Sequence, residues 1–147
     1  MKITVKEYKE LVKKQSPNSP HLKNFIWAFL VGGIICSMSE VLFIIFTKLN
    51  IEEENARLLA SITLIFEAAI LTGLGVFDNI AKRAGAGTLV PITGFANSVV
   101  SPAIEYKKEG FILGVGANMF KIAGPVIVYG TVASVIYGVI YWITTCF

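Results

Sequence analysis

Charge is scarce in this sequence: 16% of its 147 residues are Asp, Glu, Lys or Arg, while 54% are hydrophobic. That balance excludes an ordinary water-soluble domain, in which about a quarter of the residues are charged. Histidine occurs once, as His21, and the two cysteines, Cys36 and Cys146, stand far apart. Such a set supplies no Cys-x-x-Cys pair, no metal-ligand spacing and no Ser, His and Asp arrangement in a credible context. No enzyme activity, metal site, cofactor or disulfide framework is therefore expected. Arginine is missing from the N-terminal tail, whose lysines are interspersed with Glu7 and Glu10 and a single tyrosine, Tyr8. A tail of that kind is a poor stacking surface, so no nucleic-acid partner is expected.

What is present is length of apolar chain. Residues 25–47 contain one fully charged residue, Glu40, and at roughly 1.5 Å per residue would form about 34 Å of helix, enough to cross a bilayer. Residues 58–77 hold only Glu67, and the segment from 122 to the end holds no charge. The composition predicts an all-α integral membrane protein with spans over 25–47, 58–77 and 122–146. It forms one transmembrane domain, 24–147, behind a basic tail, 1–23. The first apolar run is too long for a signal-peptide core and is read as a retained helix. Lys2, Lys6, Lys9, Lys13, Lys14 and Lys23 precede it, which predicts a cytoplasmic tail. Within that tail Val5, Tyr8, Leu11 and Val12 recur at helical spacing, predicting a short amphipathic helix. Ser16-Pro17-Asn18-Ser19-Pro20 then reads as a hinge.

A fourth uncharged run, 85–104, has the length of a span but carries Pro91, Pro102, Gly85, Gly87 and Gly94. Proline deletes backbone donors and glycine loosens helix, so a re-entrant or broken segment is expected, with a simple crossing as the alternative. Ser101-Pro102 resembles a helix start, and Gly110 suits the stop of a short surface helix. Residues 111–120 are too few to span and read as a half-helix, with the closing helix beginning near Gly124-Pro125. Gly130, Ser134 and Gly138 form a four-residue ribbon suited to helix packing.

Two carboxylates inside spans are the main chemical candidates. Glu40 and Glu67 fall at similar depth if their helices are antiparallel. They either line a polar path as a pair or are protonated and hydrogen-bonded between helices. Lys121 meets an anion or snorkels to the interface. Asn97 and Asn118 line a pore or pin helices. Gly85, Gly87, Pro91 and Thr93 belong to the broken segment, where Gly85-Ala86-Gly87-Thr88 could present backbone donors to an anion.

The stretches 28–36 (AFLVGGIIC), 72–78 (TGLGVFD), 84–87 (AGAG) and 90–100 (VPITGFANSVV) resemble the stage V sporulation AC/AE membrane protein family. The likeness continues through 114–124 (GVGANMFKIAG) and 126–132 (VIVYGTV), and the long polar tail points to the AC branch. The resemblance implies a subunit of a spore inner-membrane complex. That complex moves dipicolinic acid, with calcium, into the forming spore and releases it at germination. It further implies a mechanosensitive channel activity, a hetero-oligomeric pore, and two partners: an AE-type membrane subunit and a soluble AD-type subunit that binds dipicolinate.

Overall fold

A computed structural model describes residues 4–15 and 20–146, apart from the side chains of Lys13 and Lys14. Lys2, the hinge residues 16–19 and Phe147 lie outside the described residues. Every regular element among those described is helical, as apolar runs in lipid require when each must satisfy its own backbone.

Helix α1 (Val5–Gln15) carries its apolar residues Val5, Tyr8, Leu11 and Val12 all exposed. Its start is held by Glu7, whose carboxylate accepts hydrogen bonds from both the hydroxyl and, at 2.9 Å, the backbone N–H of Thr4, the second being half of a capping box. The Thr4-x-x-Glu7 spacing was the sequence signal for it. Helix α2 (His21–Lys48) is the first long apolar helix and buries none of its residues. Asn50, at φ 61°, turns the chain toward α3 (Glu53–Gly73), a conformation that asparagine tolerates well. On α3 a stripe of Ala56, Ala60, Leu64 and Ala68 is buried, and these small side chains let neighbouring helices approach closely.

Gly75, at φ 70°, supplies the left-handed link to α4 (Val76–Ala84), an amphipathic helix that buries Phe77 and Ala84. Its sequence signal is the helical spacing of Val76, Phe77, Ile80, Ala81 and Ala84. The next segment is broken: α5 (Ala86–Leu89) ends at Val90, Pro91 takes an extended conformation, and α6 (Ile92–Glu105) follows. Helix α5 packs on α2, and α6 packs on α3 and on the closing helix.

Two expectations are corrected here. Pro102 lies inside α6 rather than opening a helix after Ser101. One missing donor near a C-terminus leaves most of the ladder intact, and buried neighbours hold α6 in place. The expected stop and restart around Lys121 and Gly124-Pro125 is also absent. A π-helical turn (Phe111–Gly116) runs directly into α7 (Ala117–Cys146), with Pro125 inside it. The half-helix expected at 111–120 is thus the first part of a longer apolar run, Phe111–Cys146. The true interruption precedes it, at a 3-10 turn (Tyr106–Glu109) and at Gly110, whose φ of 97° few other residues adopt.

Three helical stretches, His21–Lys48, Glu53–Gly73 and Phe111–Cys146, are long and apolar enough to cross a membrane. The core is small, centred on Ala68, Phe77 and Ala96, and most large apolar side chains are exposed. An outward apolar surface of this extent fits lipid as the solvent.

Candidate functional site

The pairing of α3 with α6 places polar groups among apolar ones. Thr72, near the end of α3, has its hydroxyl 2.7 Å from the Ala68 carbonyl on its own helix and 3.0 Å from Asn97 Oδ1 on α6. Asn97 therefore links the two helices. One turn earlier on α3, half-buried Glu67 meets a cavity of about 290 Å³, enclosed by α2, α3, α4 and the broken segment. Its walls are apolar, including Ile34, Met38, Leu64 and Phe77, with Thr88 and Thr93 entering from α5 and α6.

Glu67 also lines a second hollow of about 550 Å³, open along α2 and bordered by Phe29, Gly33 and Ser37. Ile34 and Met38 are shared by both hollows, so these two side chains and Glu67 form the partition between them. The two ion pairs among the described residues, Arg57 with Glu53 at 2.9 Å and Lys82 with Asp78 at 2.7 Å, lie elsewhere. Thr88 and Thr93 are both buried, but only one is satisfied. The Thr88 hydroxyl donates to the Gly85 carbonyl at 3.0 Å, whereas Thr93 Oγ1 is buried without a protein partner. An unpartnered buried hydroxyl costs about 1–3 kcal/mol, so Thr93 is a point of stored cost beside the break.

Glu40 is exposed on α2 and lines neither hollow, and the cavity holds one carboxylate rather than a pair. Asn118 is buried and donates to the Gly114 carbonyl of its own helix at 2.7 Å, steadying the passage from π to α geometry. Lys121 is exposed, with its ammonium 5.9 Å from the Tyr106 ring centroid, a cation–π distance. Gly85, at φ 51°, joins α4 to α5, and its carbonyl accepts the N–H groups of Thr88 and Leu89. Those two donors are therefore taken within the turn itself. Gly87 lies against α2 so closely that a Cβ there would stand 2.9 Å from the Cα and carbonyl carbon of Ala28 and closer still to its oxygen. Pro91 precedes α6 and fixes the break. Gly130, Ser134 and Gly138 are all exposed on α7 within the single chain. Sequence reasoning gave no role to the side chains of Thr72 and Thr88 or to the α4 wall, because which faces meet depends on how the helices pack.

The SpoVAC/SpoVAEB sporulation membrane protein family matches residues 24–140, the whole region that builds this cavity. The chain belongs to that family. It is also 50% identical over 136 residues to Stage V sporulation protein AC of Bacillus subtilis (strain 168), covering 90% of this chain and 89% of that protein. No solved structure matches it. As a SpoVAC/SpoVAEB protein it is a sporulation membrane protein, and the all-α fold with three apolar helices is that of an integral membrane protein.

Proposed function

We propose that this chain is a membrane subunit of a spore channel or transporter complex for dipicolinic acid and calcium. The complex loads the forming spore across its inner membrane and empties it at germination, and it is opened by membrane tension. The solute follows from the family resemblance, and the likeness to Stage V sporulation protein AC supports the sporulation setting. The observation that carries the reading is the broken α5–α6 segment, seated against α2 and α3 beside Glu67. Irregular backbone in a membrane protein is tolerated where protein or water covers it, and broken helices commonly mark solute paths. Further subunits of AE type complete the path, with a soluble AD-type partner delivering dipicolinate.

Purified protein in liposomes loaded with dipicolinate tests this, with efflux and current followed as tension rises. Tension-dependent release is expected, and it grows when the AE-type subunit is co-reconstituted. Silence at every tension, alone and with partners, would instead favour a non-conducting scaffold, a reading supported by the exposed Gly130, Ser134 and Gly138 ribbon. A proton-coupled carrier using Glu67 is the other reading. Unchanged flux for Glu67→Gln across all pH values would remove it, because the substitution deletes the titratable proton.

A further inference from the structure

We propose that the hollow between the first turns of α2 and the last turn of α4 binds the phosphate group of an anionic membrane lipid. The two elements are distant in sequence, yet one hollow of about 390 Å³ is lined by Lys23, Asn24 and Trp27 from α2 and by Lys82 and Arg83 from α4. An adjoining hollow of about 400 Å³ shares Asn24, Lys82 and Arg83 and continues over Phe25 and Ala28. Three cations thus face one space. Asp78 is the carboxylate that engages them, holding Lys82 at 2.7 Å along α4, and it leaves a net positive charge.

Basic residues at the end of α4 have a simpler role, offsetting the carbonyls of a helix C-terminus. That role does not account for Lys23, which α2 brings to the same hollow together with Asn24 and Trp27. Gathered cations with neighbouring neutral donors suit the several acceptor oxygens of a phosphate. Basic pockets between membrane helices are known sites for anionic headgroups. Depth agrees, since the hollow lies where α2 passes from its polar start into its apolar run, the level at which tryptophan settles. The apolar side of the site distinguishes a lipid from a free anion. Phe25 is 68% exposed beside the second hollow, and the unburied flank of α2 continues from it as a surface for acyl chains.

The test uses the full chain in a neutral detergent, titrated with phosphatidylglycerol, phosphatidylcholine or glycerol 3-phosphate. Bound lipid is counted by native mass spectrometry. Retention of phosphatidylglycerol over phosphatidylcholine by at least about tenfold is expected. Each basic residue neutralised should weaken it about fivefold, and Lys23→Gln, Lys82→Gln and Arg83→Gln together on the order of a hundredfold. Circular dichroism checks that each variant is folded, and the single Arg83→Gln change keeps the test available if the triple variant is not. The double change Lys107→Gln and Lys108→Gln removes charge elsewhere and should leave the preference intact. Equal loss in that control would reduce the effect to general charge attraction and overturn the site. Glycerol 3-phosphate binding as tightly as the lipid would overturn the lipid assignment.

Discussion

The broken segment comes close to the α2 backbone at Gly87, and adding one methyl group there measures how tightly the break is held. In Gly87→Ala the new Cβ would stand 2.9 Å from both the Cα and the carbonyl carbon of Ala28, and closer still to its oxygen. Carbon atoms prefer about 3.5–4.0 Å, and backbone atoms cannot rotate away as a side chain can. Over-packing of this kind costs about 1–3 kcal/mol, and replacing a helical glycine by alanine returns up to about 1 kcal/mol. A net loss of about 1–2 kcal/mol is expected. Gly32 faces the same crossing from α2, but a Cβ there would be 3.4 Å from Gly87, so Gly32→Ala should cost less. Gly33 has nothing within 4 Å, and Gly33→Ala should be neutral or slightly stabilising. The three variants form a graded series on two helices, read by denaturant titration of the protein in mild detergent micelles with helicity as the signal. Equal stabilities, or Gly33→Ala as the weakest of the three, would refute the proposed seating of α5 on α2.

Thr93→Val keeps the side-chain shape and removes the unpartnered hydroxyl, so it should raise stability by about 1 kcal/mol in the same titration; a fall would show that Oγ1 has a partner. Asn97→Ala should cost about 0.5–2 kcal/mol, and a double-mutant cycle with Thr72→Val should return a coupling of about 0.6 kcal/mol; additive effects would mean that the 3.0 Å contact contributes nothing. The bonds from the Thr4 hydroxyl and then its N–H lower the Glu7 pKa below its ordinary value of 4.5. A lowered folded-state value means that the cap supports α1 above pH 4.5 and is lost as the pH falls through the lowered value. Amide exchange in the first turn of α1 should therefore quicken on acidification; Thr4→Ala, which removes the hydroxyl bond but keeps the backbone one, should weaken that pH dependence, and Glu7→Gln should abolish it.

The membrane class and the long helices were legible because they depend on composition and length, properties that each segment carries alone. The break near Pro91 was legible for the same reason, since proline and glycine impose local geometry wherever they fall. Pro102 and Pro125 show the limit of that logic. Both lie within helices, because one absent donor is tolerated where the surrounding turns and neighbours hold the axis. Small-residue stripes show it again. The ribbon on α7 attracted attention by its glycines, yet within the chain it is α3, with its alanines, that receives the neighbouring helices.

Composition and local propensity by themselves determined that lipid surrounds this chain, that it folds as helices, and that one segment is interrupted. Tertiary structure alone decided which side chains share a space: Glu67 with the buried threonines, Asn97 with Thr72, and Lys23 with Lys82 and Arg83. The physical reason is that span formation follows from the solvent preference of each segment. Contact between segments depends instead on the rotation and depth of every helix, and those are set by close packing of small side chains across the whole bundle.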